Sequence, residues 1–510
     1  DRFDQLKLVW TNQLRSDTEW SSRLWFERFA RLTSVGRKQP WEYDTGSPDY
    51  WAGNVGTGTE DEPFFATHGD FPAYSRSRST VGGLKSEFST QRWRRNTFQA
   101  GIEARQVRVA SLEVLPPNGA SGALRSDFEN DHPEAAAYVQ NRWEFEGLAL
   151  NAGLRYDLFT PGPGVSAREL SSGRRYKQKI SPRLGIAHPI STRDVLSFHY
   201  GRNSQVPPSR YLFENRTFVA TTVERVGVLD RVRGDPDLDP ETSVAYQVAA
   251  QHLFTPDLWG QFALFFKDIY GLVTTRAARD PAGNQVVVYS NGDYASARGF
   301  EASLVRSFSH WFSAEVNYSY QIATGVASDP RQAQQFLNGG RLYLPISEQP
   351  LDWDQRHTLT VQAYVADRSR WDLRLIARYG SGFPYTPASR NDRRPDPAFT
   401  NSRRLPSTSD VTAQGEKRWH LWGHDVDVFV DVRNAMNAKN VVAPSFSTYP
   451  NPFVGQAGDE YLIYFTETGR AGGAYLRDRD GDAVLDWIPL HDPRAFEEGR
   501  VVRTGIKLDF

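Results

Sequence analysis

The sequence contains no cysteine and one methionine among its 510 residues. Without cysteine, neither a disulfide framework nor a thiolate metal site can form, which suits an oxidising compartment. The chain also has no excess of charge of one sign, because its formal net charge is −1. A nearly neutral chain argues against nucleic acid as the main partner.

Long apolar runs are missing as well. Hydrophobic residues make up 39% of the chain, and no run approaches the roughly 18 apolar residues that a spanning helix needs. Helical membrane spans are therefore excluded. Aromatic residues nevertheless reach 13%, which is high for so polar a chain. This combination is typical of a membrane β-barrel with aromatic girdles, although a large soluble β-propeller has a similar composition.

Alternation of apolar and polar residues decides between these two folds. It recurs in segments of about ten residues, whereas strands of soluble proteins average about five or six. Ten residues is the length that crosses an outer membrane at a steep tilt. We therefore predict an all-β fold, a large antiparallel transmembrane β-barrel of about 16 to 22 strands. The clearest segments are 148–158, 314–321, 359–365, 371–379 and 426–433.

Connections between these segments are of two kinds. Short turns such as Ser191–Asp194 and Ser309–His310 alternate with long irregular connections such as 202–240 and 324–353. Outer-membrane barrels have this asymmetry, with short periplasmic turns and long extracellular loops. We expect residues 1–510 to form a single barrel domain in the outer membrane of a Gram-negative cell.

The polar faces of the segments carry charged residues, which indicates a hydrated lumen. The last strand fits this pattern, since Val502, Ile506 and Phe510 alternate with charged residues. We expect Phe510 to serve as the assembly signal at the end of the chain. The candidate lumen-facing residues are Arg155, Asp157, Glu315, Asn317, Arg374, Arg378, Asp427, Arg503 and Lys507.

One acidic segment has the spacing of a cation site. Asp478, Asp480, Asp482 and Asp486 surround Gly481, and hard cations such as Ca²⁺ prefer several oxygen ligands around a tight turn. The segment resembles the Asp-rich loops of dockerin-like repeats, but it lacks the final Glu of an EF-hand. A solvated acidic turn is the alternative. No cofactor is required by the sequence, and Ca²⁺ is the single candidate.

Other chemistry finds little support. The ten histidines form no HxH or HExxH pattern, and GxSxG is absent, so we predict neither a zinc site nor an enzyme. The basic segment 390–394 with Arg403 and Arg404 could contact lipopolysaccharide phosphates. Its charges could equally be balanced by Asp392 and Asp396.

Several short motifs resemble the barrel of TonB-dependent outer-membrane receptors, especially the kind whose plug follows a carboxypeptidase-regulatory-like domain. Each motif is weak alone, but they occur in the family's order. Ile180–Gly185 resembles its SPRLG strand, Asp235–Glu241 its NPDLKPE segment, and Arg298–Glu301 the GFE segment at the start of a strand. Leu351–His357 resembles DWDQRH, and Phe429–Asn437 resembles its penultimate strand.

This resemblance implies energised uptake of a large nutrient, such as a siderophore, glycan or peptide. It also implies outer-membrane lipid, lipopolysaccharide and the barrel-assembly machinery as partners, and a TonB-type energy transducer if a plug lies upstream. We find no plug or TonB box, and the chain opens on a strand-like segment at Leu6–Trp10. We expect the N-terminal portion to be absent from this sequence. A structural or adhesive barrel that binds a surface partner without transport is the alternative.

Overall fold

The computed structural model describes most of the chain. The described residues are 1–43, 74–93, 95–115, 124–216, 232–279, 283, 285–333, 348–367, 370–386, 399–421, 423–441, 462–464, 489–491 and 497–509.

Strands form most of the described structure, and nearly all of their pairings are antiparallel. In the first half of the chain they are β1 Arg2–Arg15, β2 Thr18–Thr33, β3 Tyr74–Thr90, β4 Asn96–Leu115, β5 Leu124–Phe145, β6 Leu148–Phe159, β7 Lys177–Pro189, β8 Asp194–Gln205, β9 Val232–Arg233, β10 Glu241–Thr255 and β11 Leu258–Arg279. In the second half they are β12 Gln285–Ser309, β13 Phe312–Gly325, β14 Gln349–Pro350, β15 His357–Asp367, β16 Trp371–Gly380, β17 Pro384–Tyr385, β18 Arg403–Arg404, β19 Thr408–Leu421, β20 His424–Arg433, β21 Leu462–Tyr464, β22 Pro489–His491 and β23 Val501–Asp509.

The described helices are short. One helical turn spans Ser209–Phe213, and 3₁₀ turns occupy Val35–Arg37, Pro40–Glu42 and Ala167–Glu169. No described helix has the length and apolar character needed to pass through a membrane.

One sheet contains 19 of the strands, which confirms the predicted all-β class. Two of these, β9 and β14, have only two residues, and the other 17 follow one another as an antiparallel meander. Short turns of two to five residues lie at one end of the sheet. The connections at the other end are longer, as the sequence predicts, except for the five residues 280–284 between β11 and β12. Among the described residues β1 pairs only with β2 and β23 only with β20, so the sheet is open between them.

The pairing register aligns one apolar face across the sheet. Leu8 lies opposite Leu24, and Leu24 lies opposite Leu84. At the other edge, Val428 lies opposite Ile506. Because side chains alternate along every strand, the charged residues between these positions share the second face. An apolar band on one face and charges on the other is the pattern of an outer-membrane barrel wall.

The charged face is the concave one. Five strands separate β5 from β12 in the sheet, which corresponds to about 29 Å if the sheet were flat. Yet the Glu214 carboxylate accepts hydrogen bonds from Ser126 Oγ on β5 at 2.7 Å and from Arg331 at 3.0 Å. Arg331 in turn donates to the Tyr289 hydroxyl on β12 at 2.8 Å. These short contacts require the wall to curve around them.

The main hydrophobic core lies at the long-connection end, on the concave side. It joins Phe159 at the end of β6 and Leu170 from the β6–β7 connection to Leu212 and Phe213 from the helical turn. Tyr289 on β12 completes it and is fully buried. The connections therefore fold inward against the wall and form a roof over part of the concave face.

One predicted strand boundary is wrong. The Arg298–Glu301 motif, expected at the start of a strand, lies in the middle of the 25-residue strand β12. A Cβ atom at Gly299 would lie 1.9 Å from the Tyr320 carbonyl oxygen on the neighbouring strand. The glycine therefore marks a close approach of two backbones and not the beginning of a strand.

Candidate functional site

A cavity of about 530 Å³ lies on the concave face beneath the roof. Strands β4 to β8 form its wall with side chains that include Glu103, Glu134, Arg155 and Asp157. Its roof comes from Phe159 at the end of β6 and from Pro240 and residues 206–209 of the long connections. The cavity thus has one face of rigid strands and one of loops, which suits a ligand that enters from the loop side.

Most carboxylates of the cavity are already paired. Arg105 Nε donates to Glu134 at 2.7 Å, and His132 Nε2 lies 3.4 Å from the same carboxylate. Arg155 Nε donates to Asp157 at 2.8 Å, and its guanidinium lies 3.8 Å from Glu103. These pairs hold the side chains of β4, β5 and β6 in fixed positions.

The strand β7 presents a row of polar side chains to the same cavity. Lys177, Lys179, Ser181 and Arg183 alternate along it and all line the cavity. Lys177 is only 3% exposed and donates to Asp237 at 2.6 Å. Arg183 donates to the neutral amide oxygen of Asn203 at 2.9 Å. Neither Lys179 nor Arg183 has a carboxylate partner among the described residues.

A second hollow continues from the cavity along the wall. It shares Arg183 and Asn203 with the cavity and has a volume of about 470 Å³. Gly153 and Gly201 lie opposite Arg183 on the strands to either side of β7, and Gly185 lies two residues further along β7, so three positions of the floor carry no side chain. Its polar groups come from Gln140, Asn151, His199 and Gln247. Cavity and hollow together form a trough that crosses β4 to β8 and continues onto β10.

The register places all nine candidate lumen-facing residues on the concave face, but it does not bring them together. Arg155 and Asp157 line the cavity. Glu315 and Arg374 line a separate hollow of about 420 Å³, and Asn317 and Arg378 lie beside it. Asp427, Arg503 and Lys507 lie near the β23 edge, where Asp427 accepts from Arg418 at 2.9 Å. That these nine residues line a ligand route stays a prediction.

The Asp235–Glu241 motif closes the roof over the cavity. The Asp237 carboxylate accepts hydrogen bonds from Lys177, from Ser171 Oγ at 2.7 Å and from the Ser172 amide at 2.6 Å. It thereby ties two long connections to the start of β7. Burial raises the pKa of Asp237, but hydrogen bonds from Lys177 and both serines outweigh it, so the pKa lies below the ordinary 3.8.

The low pKa of Asp237 predicts that the roof loosens in acid. A lowered pKa in the folded state adds stability above the ordinary pKa of Asp, and this stability is lost as pH falls through the folded-state value. We expect hydrogen-exchange protection of the Ser172 amide, corrected for intrinsic rates, to be constant from about pH 7 to 5 and to fall below about pH 4. Burial raises the pKa of neighbouring Asp235, so that group protonates first.

The variant Asp237→Asn is the control for this prediction. It should lower Ser172 protection at neutral pH and remove the step below pH 4, because position 237 then has no carboxylate to titrate. If the protection of the Ser172 amide falls equally below pH 4 in the variant and in the unmodified protein, a group other than Asp237 causes the fall.

The Leu351–His357 motif has a similar structural role. Asp354 is fully buried and accepts from the Ala323 amide at 2.7 Å and from Arg356 at 2.8 Å. Arg404 also donates to it. The basic segment that we considered for lipopolysaccharide binding is therefore engaged at Arg404, while residues 390–394 lie outside the described residues.

The turn after β20 was expected from its asparagines. Asn434 and Asn437 adopt positive φ values of 45° and 52°, which asparagine tolerates better than most residues. The Asn434 side chain accepts from the Ala438 amide at 2.8 Å and donates to the Glu498 carbonyl at 3.2 Å. The predicted calcium ligands Asp478, Asp480, Asp482 and Asp486, and the assembly signal Phe510, lie outside the described residues and stay predictions.

A family model described as TonB dependent receptor-like, beta-barrel matches residues 1–435. The chain belongs to this family. Membership places the receptor barrel in the outer membrane, as predicted, and the family is one of receptors and not of enzymes. A comparison with curated proteins finds no match.

Solved structures support the fold of the receptor barrel. The outer-membrane transporter YddB from Escherichia coli is 11% identical, with a TM-score of 0.58 over 99% of this chain and 63% of its own. The ferric-catecholate import receptor Fiu from E. coli is 13% identical, with a TM-score of 0.55 over 88% and 62%. The copper transporter OprC is 12% identical, with a TM-score of 0.54 over 86% and 60%. The receptor barrel thus spans about 60% of the length of these chains.

Sequence reasoning missed the cation row of the receptor barrel. Ser181 and Arg183 were noticed only as part of the SPRLG resemblance, and Lys179 was not singled out. The alternation of Lys177, Lys179, Ser181 and Arg183 was present in the sequence. The sequence does not show which of these charges form ion pairs in the folded chain.

Proposed function

We propose that this barrel is the membrane-spanning part of an energised receptor that takes up a large nutrient across the outer membrane. The nutrient class is that of siderophores, glycans or peptides. The observation that carries the proposal is the charged cavity on the concave face, which the long connections roof. A cavity between rigid strands and loops is where a receptor of this family would hold a ligand before transport.

The similar proteins of known structure support transport over adhesion. Their names give copper, iron, ferric catecholate and ferric citrate as what those proteins carry. We propose a TonB-type transducer as the energy source if a plug lies upstream of this barrel. Outer-membrane lipid, lipopolysaccharide and the barrel-assembly machinery are the further partners we propose.

Uptake assays on the full-length receptor test this proposal. Cells that produce it are given labelled ferric citrate, a ferric catecholate complex, an oligosaccharide or a peptide, and accumulation is compared with cells lacking the receptor. We expect one class to accumulate, and accumulation to stop when the inner-membrane proton gradient is collapsed. Surface binding without accumulation, with or without the gradient, would contradict uptake and favour the adhesive alternative.

A further inference from the structure

We propose that the trough binds an acidic oligomer, whose anionic groups are held by Lys179 and Arg183 with the Ser181 hydroxyl between them. The inference rests on the proposed function, since it names the ligand class for the same cavity. Three independent features of the wall support it: unneutralised cations, an orphaned hydroxyl, and a low amide-lined floor.

The first feature is the charge left over after pairing. Arg105, Arg155 and Lys177 each have carboxylate partners. Lys179 is the direct cross-strand neighbour of Asp157, but the Asp157 carboxylate accepts from Arg155 instead. Two cations without carboxylate partners in a partly enclosed cavity favour an anion, because their field is screened less there than at an open surface.

The second feature is the Ser181 hydroxyl. Its side chain lines the cavity, the residue is 2% exposed, and its oxygen has no hydrogen-bond partner among the described residues. A buried hydroxyl without a partner costs free energy unless something bonds to it. A ligand oxygen between Lys179 and Arg183 would supply that partner.

Spacing along β7 suggests more than one anionic group. Alternate residues of a strand lie about 6.6 Å apart, so the backbones of Lys179 and Arg183 are separated by about 13 Å. A carboxylate that bridges one cation and the hydroxyl leaves the other cation for a second anionic group. Two anionic groups on neighbouring units of an oligomer would fit the row.

The third feature is the hollow below Arg183. Its floor of Gly153, Gly185 and Gly201 admits a ligand close to the wall, and the side chains around it are amides and a histidine. Amides donate and accept hydrogen bonds, which suits the hydroxyl groups of a sugar or the amides of a peptide. The remainder of a chain-like ligand would therefore lie along β6 to β10.

Calorimetric titration of the purified full-length receptor tests the inference. The probes are a galacturonic acid trimer, a glutamic acid tripeptide and neutral maltotriose, each at low and high salt. We expect at least one acidic trimer to bind, with an affinity that falls as salt rises, and maltotriose not to bind. The two acidic probes distinguish a sugar from a peptide as the source of the anionic groups.

Substitutions assign the binding to the row. Lys179→Gln and Arg183→Gln should each weaken the acidic trimer about tenfold, and together about 100-fold, while Lys179→Arg should retain most of the affinity. Lys7→Gln removes a lysine from the same face on β1, far from the trough, and should change nothing. Maltotriose binding as tightly as the acidic trimers, no binding of either acidic trimer, or acidic binding that the row variants leave intact would each overturn the inference.

The experiments distinguish a failure of the proposed anion site from a failure of the proposed uptake function. If the acidic trimer binds through Lys179 and Arg183 but never accumulates in cells, the anion site stands and the proposed uptake function falls. If the double variant binds the acidic trimers as tightly as the unmodified receptor while a nutrient still accumulates, uptake stands and the anion site falls.

Discussion

The variant Asp354→Asn should lower the free energy of unfolding by about 3 kcal/mol. The substitution keeps the shape of the side chain but removes the charge that Arg356 and Arg404 share. Asp354 is completely buried, so water does not replace the lost carboxylate. Removing one member of a buried charge network leaves its partners uncompensated, which costs more than the pairing itself contributed. The midpoint temperature of the heat-induced mobility shift on detergent gels measures the effect.

Asp352→Asn is the matched control, two residues away in the same motif. Asp352 is exposed and accepts from Asn401 at 2.7 Å. Loss of such an exposed interaction should cost less than about 1 kcal/mol. Equal midpoints for the two variants would show that the buried carboxylate does not hold the connections before β15 and after β16 together.

The variant Glu214→Gln should detach the inward-folded connection from the wall. The Glu214 side chain is 2% exposed and accepts from Arg210 Nε at 2.9 Å, from Arg331 and from Ser126. Without its charge, two guanidinium groups face each other across a neutral amide. We expect trypsin to cleave after Arg210 and Arg331 at least tenfold faster, since about 1.4 kcal/mol of lost protection corresponds to tenfold.

Glu113→Gln tests whether any lost carboxylate near Arg210 has this effect. Glu113 lies 3.3 Å from Arg210, but it is 36% exposed, and ion pairs so exposed to water contribute little. The rate at which trypsin cleaves the Glu113→Gln variant after Arg210 and Arg331 should change less than twofold. If both variants are cleaved at the same rate, burial of Glu214 is not what holds the connection in place.

The wall of the barrel was predictable from the sequence because a strand that separates lipid from water has one side-chain pattern. Segment 371–379 alternates at every position except Ile376, and the structure has a strand at Trp371–Gly380. The side on which a residue lies follows from the same alternation. This is why the nine candidate residues fall on one face even though they do not form one site.

The candidate site could be predicted only in part, because pairing depends on contacts between distant segments. Lys177 and Lys179 are equivalent in the sequence, yet Asp237, sixty residues away along the chain, binds Lys177 and leaves Lys179 without a carboxylate. The motif DPDLDPE resembles a family signature, but its sequence does not show that it closes a roof. Only the fold shows which charged side chains form ion pairs within the protein and which have no such partner and can bind a ligand.

The open sheet determines whether an odd or an even number of further strands would close the barrel. β1 runs toward a short turn, and β23 follows a long connection, so both run from the loop end to the turn end. A direct pair between these two edges would be parallel, unlike every other long pair in the wall. An antiparallel closure needs an odd number of further strands between them. With 17 long strands in place, such a closure gives an even total, as in bacterial outer-membrane barrels made from one chain.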